Sequence, residues 1–219
     1  KCSRIALSGA GTAAVGTQIF TVQHLEAQDI ANSGWDYTSS SSYLTLSFWV
    51  RSSTAQDFPI GLYTKDGTEK LYTTTYTISS ANTWEKKSIK IPGATGLQFD
   101  DNNGEGLRVY LACPYHGTNF TSGATNATWV DYHDTKKFIA VPSTWLTAGA
   151  STFDFTGAQL EVGEFASEFQ HKSYADELRR CQRYCWMVEN DTTVESSAFG
   201  LAYCKSTTTA RWFPQFPVE

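Results

Sequence analysis

The chain has 219 residues, 41% of them hydrophobic and 18% charged, a balance that can bury a core and is not that of a disordered polymer. A formal net charge of −5 with no basic block argues against a phosphate-neutralising nucleic-acid face. No apolar run is long enough for a spanning helix, so no membrane insertion is expected.

Aromatic residues make up 14% of the chain, which suits β-sandwich cores and also proteins that stack sugars on ring faces. The 5 cysteines, at 2, 113, 181, 185 and 204, have no spacing of a disulfide framework or a zinc set. They read as buried free thiols in a protein folded under reducing conditions. Lys1 opens in mid-phrase and QFPVE stops inside what reads as a strand, so both ends read as cut.

In chain order, a short apolar strand (Ile5, Leu7) precedes a Gly/Ala stretch over residues 9–16. That stretch lacks the spacing of either phosphate-binding glycine motif and reads as a turn. A second strand is expected over residues 17–25. SYLTLSFWVRSS alternates cleanly, with Leu44, Leu46, Phe48 and Val50 on one face and Thr45, Ser47, Trp49 and Arg51 on the other. FPIGLYTKDGTEKLYTTTYTISS predicts a hairpin about Asp66-Gly67. Two further strands follow, one carrying Trp84, Ile89 and Ile91, the other Leu107, Val109 and Leu111. A loop-rich insertion over residues 119–150 leads to FDFTGAQLEVG, a strand with a shift of face at Gly157.

Strands at roughly ten-residue spacing with turns between them predict an all-β fold, an antiparallel sandwich. SYADELRRCQRY then reads as one short helix, capped by Ser173 with Asp176 in the capping-box slot. Its apolar edge runs through Leu178, Cys181, Cys185 and Val188. The remainder reads as strand, connection and strand, too short to bury a core alone. The expected organisation is a sandwich over residues 1–170, a connecting helix over 171–188 and a partial β domain over 189–219.

The phrases LSFWVRSS, YTISSANTWEKKSIKIPG, NNGEGLRVYL, FTGAQLEVGEFASEFQHKSYADELRRCQRY and FPQFPVE, in this order, resemble a family of phage and prophage virion proteins found in tail fibres, head fibres and other appendages. The resemblance covers most of the chain from about Leu44 to Tyr184. It implies a galactose-binding-like, carbohydrate-binding-module-type jelly roll followed by a small C-terminal β domain. It further implies a virion-surface protein assembled in the bacterial cytoplasm, with copies of itself, most simply a homotrimer, and other virion proteins as partners. Host cell-surface glycans are the expected ligand. Cys185 and Trp186, and the variable-looking residues 119–150, depart from the family pattern. The resemblance hands over no catalytic residue, and a fold of this kind hosts many functions.

Sugar recognition needs exposed ring faces beside hydrogen-bonding groups. The candidates are Tyr115, His116, Trp129, Asp131, Tyr132, His133, Asp134 and Trp145, with Trp35 and Tyr37 as a second group; for each ring, packing is the plainer role. Asp100, Asp101, Asn103 and Glu105 have oxygens for a structural calcium, the one cofactor the resemblance allows, but their spacing is not that of an EF-hand and a solvated turn is the plainer reading. The histidines and serines form no hydrolase motif, and the acids sit in turn-like loops, so no enzyme is expected. Leu178, Cys181, Cys185 and Val188 are the oligomer-interface candidates. Two other readings remain open, a carbohydrate-binding module of a secreted glycosidase and a capsule depolymerase.

Overall fold

The computed structural model describes residues 2–182, 202–206 and 209–212. The chain divides into two compact units, Lys1–Phe169 and Gln170–Glu219. Within the first unit the strands are β1 (Ser3–Ala6), β2 (Gln18–Glu26), β3 (Tyr43–Ser52), β4 (Asp57–Thr64), β5 (Lys70–Thr77), β6 (Glu85–Pro92), β7 (Glu105–His116), β8 (Thr128–Asp131) and β9 (Thr152–Val162). They form two antiparallel sheets, in the orders β1-β9-β3-β6 and β2-β7-β4-β5-β8.

With β8 set aside as an edge addition, the eight remaining strands number 1-8-3-6 in one sheet and 2-7-4-5 in the other. That is the jelly-roll permutation of two Greek keys. The expected sandwich is therefore present, and the alternation of β3 shows why. Leu44, Leu46, Phe48 and Val50 are buried between the sheets. They meet Phe58, Ile60 and Leu62 from β4, Leu107 and Val109 from β7, and Phe153 and Phe155 from β9 in one continuous core. Pro59 is tolerated in β4 because β5 alone pairs with the strand there; β7 joins it only from Gly61 onward.

The face shift at Gly157 is real. β9 slips register against β3 between Ser47 and Trp49, and Gly157 adopts a φ of +59°, a left-handed value natural to glycine. Gly67, with a φ of +60°, likewise turns the β4–β5 hairpin. Two one-turn helices were not expected: α1 (Ala27–Ala31), directly after β2, and α2 (Thr144–Thr147) inside the insertion. Each is too short to show a helical period, but each puts apolar residues inside: Ile30 from the first, Trp145 and Leu146 from the second.

The four-stranded sheet is tied together on its outer side by Asp154 of β9. Its carboxylate, fully enclosed, accepts from Arg4 Nε of β1 at 2.6 Å and from Arg51 Nη2 of β3 at 2.8 Å. One anion thus joins three neighbouring strands, with the guanidiniums supplying the hydrogen bonds that a buried charge requires.

In the second unit, α3 (Tyr174–Gln182) begins where the sequence predicts. Ser173 Oγ accepts from the Asp176 amide at 3.1 Å and donates to the Asp176 carboxylate at 2.6 Å. No residue of α3 is buried. The strands β10 (Ala202–Ser206) and β11 (Thr209–Trp212) pair as an antiparallel hairpin. Cys185 and Val188 lie outside the described residues.

The expectation that the cysteines are buried is corrected for two of them. Cys113 is buried, but Cys2 and Cys181 are exposed as free thiols, the one just ahead of a short edge strand and the other on a helix that buries nothing. Among the described residues no helix is long and apolar enough to cross a membrane.

Hydrogen bonding from Arg4 holds the Asp154 carboxyl below the usual carboxylate range; burial works against this, and Arg51 adds to it. A depressed folded pKa stabilises above the unfolded value of about 4 and is lost as pH falls through the folded one. Asp154→Asn is therefore expected to melt several degrees below the native chain at neutral pH, with the gap closing as pH drops below about 4. Thermal melts across that range check this, and an unchanged gap in acid would assign the loss to packing instead.

Candidate functional site

The insertion determines which of the predicted residues face solvent. It leaves β7 at Gly117, where a Cβ would meet the Val15 carbonyl oxygen at 2.2 Å, so only glycine lets the two segments pass. A 3-10 turn at Thr118–Phe120 follows, then the edge strand β8, then a second 3-10 turn at Asp134–Lys136. The two arms bond to each other, Gly123 N to Thr135 O at 3.0 Å and Phe138 N to Phe120 O at 3.1 Å.

Phe138 anchors this segment. It is wholly buried, but outside the main core, in a second cluster with Tyr63, Leu71, Tyr110 and Cys113 on the outer side of the five-stranded sheet. Strand alternation places those residues there: Tyr63 and Tyr110 follow Leu62 and Val109, which face inward. Phe138 meets Tyr110 edge-on with ring centroids 5.4 Å apart and stacks on His116 at 5.1 Å. Burial lowers the pKa of His116, partly offset by the carbonyls of Gly117 and Ile139, so the ring acts here as a neutral packing surface. Burial raises the Cys113 thiol pKa well above its ordinary value.

The eight predicted glycan residues separate accordingly. Trp145 is fully enclosed and donates through Nε1 to Thr152 O at 3.0 Å. Tyr115 is buried in the main core, its hydroxyl donating to Ala14 O at 2.8 Å. Trp129 packs on Tyr72 and donates to Pro92 O at 2.7 Å. With His116 these rings are engaged in packing, because a loop crossing a sheet must bury apolar surface to stay there. In the second group, Trp35 is buried, and Trp35 and Tyr37 close one region of the core with Phe99.

Asp131, His133 and Asp134 remain exposed and Tyr132 half-buried. Tyr132 stacks on Tyr63, centroids 4.6 Å apart and planes 24° from parallel, and its hydroxyl donates to Asp134 at 2.6 Å. Two cations lie within cation–π reach of Tyr63, Lys65 at 4.9 Å and Arg108 at 5.3 Å from the ring centre. Tyr63 donates to Glu69 at 2.6 Å, and Lys65 pairs with the same carboxylate. Arg108 holds Glu105 in a two-pronged pair at 2.8 and 2.9 Å, and His24 Nδ1 lies 2.7 Å from Glu105. None of Lys65, Glu69, Arg108 or His24 was picked out from the sequence. His24 and Arg108 lie in the outward phase of β2 and β7, and Lys65 and Glu69 flank the β4–β5 turn, a grouping legible only once the sheet order is known.

The acids here are held ionised. Lys65 and then Tyr63 lower the Glu69 pKa, and Lys137 and then Tyr132 lower that of Asp134. At Glu105 burial, the largest single influence, works the other way, but Arg108 and His24 together outweigh it and the pKa falls. Burial and then Asp134 raise the Tyr132 phenol well above its ordinary value, keeping the hydroxyl a donor. The result is a strip in which one stacked ring pair lies between paired acidic and basic side chains.

The calcium candidates are not gathered into a site. Asp100 accepts from Gln98, Asp101 from Asn32, and Glu105 turns to Arg108 and His24. Among the described residues no group of three His, Cys, Asp or Glu side chains is arranged for a metal.

Truncating the anchor should release the platform without unfolding the sandwich. Phe138→Ala is expected to cost about 3 kcal/mol in denaturant unfolding, as for other buried aromatics. Hydrogen exchange should then accelerate over residues 118–138 and stay slow in β3 and β7. Unchanged exchange in the insertion would mean that another contact holds it. No protein-family model matches the chain, nor does any curated protein or solved structure.

Proposed function

We propose that this chain is a non-enzymatic structural subunit of a bacteriophage virion appendage, a tail or head fibre, whose jelly roll contributes to attachment on host cell-surface glycans. The setting rests on the ordered phrases that resemble phage virion proteins. The attachment role rests on one observation: the insertion carries Tyr132 onto Tyr63 and leaves Asp131, His133 and Asp134 exposed around the pair. A sugar placed there meets ring edges and both donors and acceptors at fixed positions, which is the chemistry of hydroxyl recognition.

Two observations support the subunit reading. Leu178 is 42% exposed and Cys181 exposed on a capped helix with no buried residue, so its apolar edge is available to other copies of the chain. Every described acid whose pKa departs from its ordinary value is shifted downward, the wrong direction for the general acid of a glycosidase. In this reading the chain is a homotrimer on the virion surface, in contact with other virion proteins and assembled in the host bacterial cytoplasm.

Light scattering after size exclusion should give a mass three times that of the chain, and a stable monomer would count against the fibre role. On an array of bacterial surface polysaccharides the trimer should bind, and Tyr132→Ala should weaken that binding about tenfold. Release of reducing ends from the same polysaccharides would instead favour a depolymerase.

A further inference from the structure

The outer face of the four-stranded sheet carries a ring that no packing need explains. Among the tryptophans whose side chains are described, Trp35 and Trp145 are buried, Trp129 is tied to Pro92, and Trp84 lies under the Arg51 guanidinium at 5.1 Å. Trp49 is 41% exposed, in the middle of β3, an interior strand. Its indole N–H has no hydrogen-bond partner among the described residues.

The ring is nevertheless held in place. In register Trp49 faces Lys86 on β6 and Thr156 on β9. Next to Thr156 the Gly157 bulge leaves a gap, and a Cβ there would stand 3.5 Å from Trp49 Cδ1 and 3.7 Å from Phe169 Cδ2. The indole and the Phe169 ring, itself 40% exposed, thus both lie over the glycine. The strap after β9 is fixed back onto the same face. Thr45 donates to Gly163 O at 2.6 Å, and the Ser167 amide donates to Glu161 at 3.0 Å.

Around the two rings the outward positions of β3, β6 and β9 are hydrophilic: Lys86 and Ser88 are exposed and Thr156 half-buried, while Ser47 is buried and the Gln159 amide is bonded to Glu161 and Ser167. The apolar area is one or two rings, far less than a protein interface of the usual kind requires. Rings of that size, pinned and bordered by the Ser88 hydroxyl and the Lys86 ammonium, match one face of a sugar.

We propose that Trp49, with Phe169 beside it, is a second glycan-binding site, on the opposite sheet from Tyr132, that stacks the C–H face of a hexopyranose while Lys86 and the indole N–H meet its hydroxyls. This extends the attachment role proposed above and rests on it. Gly157 is the positioning residue, since its φ of +59° makes the bulge over which both rings lie and any other residue there would be strained.

The test is a fluorescence titration of the full chain with the methyl glycosides of glucose, galactose, mannose and N-acetylglucosamine, together with saturation-transfer NMR on the same samples. At least one glycoside should change tryptophan emission saturably at millimolar concentration and shield it from acrylamide. Trp49→Phe should abolish that emission change, and Trp49→Ala should weaken binding about tenfold with an unchanged thermal melt. Tyr132→Ala should leave the emission change in place. If the sugars bind by NMR equally well to Trp49→Ala, the second site is wrong while glycan attachment stands. If no sugar binds the native chain in either experiment, attachment and second site fall together. If Trp49→Ala instead lowers the oligomer mass without affecting sugar binding, the face is an interface between copies and the inference is overturned.

Discussion

The placement of one phenylalanine governs what this sandwich can present. Phe138 sits on the wrong side of the five-stranded sheet for the main core, enclosed by Tyr110, His116 and the outward residues of β4 and β5. Its burial supplies the apolar area that lets a long polar insertion lie flat on a sheet rather than extend into solvent. Tyr132, Asp134 and Lys137 take their positions from that anchor, and the stacked Tyr63–Tyr132 pair follows from it. The candidate binding strip is thus a consequence of packing, which makes it rigid before any ligand arrives.

The main architecture was legible in the sequence because its signals are local. The alternation of β3, the Asp66-Gly67 turn and the Ser173–Asp176 cap each concern residues within a few positions of one another. The fate of the insertion was not legible for the opposite reason. A tryptophan in a loop has the same local signature whether it stacks on a ligand or fills a core. Trp145 is enclosed through Thr152 and Gln56, and Trp129 through Pro92, contacts that depend on sheet order. Asp154 shows the same limit: the phrase FDF marks an outward acid, but Arg4 and Arg51 close over it from strands far away in sequence. Trp49 was visible on the polar face of its strand from the start, but only the Gly157 bulge shows that the ring is held there.

The two sheets present contrasting outer surfaces. On the five-stranded sheet the inserted segment hides most of its aromatic rings and leaves a charged strip. On the four-stranded sheet the Asp154 pairs occupy one end of the face, while the indole and Phe169 lie beside the bulge. Within the first unit, Val162, Phe165 and Phe169 are also exposed where the chain leaves the sandwich.

Recognition through sheet faces, rather than through the loops at the ends of the sandwich, is the central claim. It is tested most directly by hydrogen–deuterium exchange of the assembled protein with and without polysaccharide from a susceptible host. The account predicts slowed exchange over residues 130–138, and over residues 45–51 if the second site is also filled, with none in the loops over residues 35–42 and 98–104. Protection confined to those loops, or none despite demonstrated binding to cells, would contradict it.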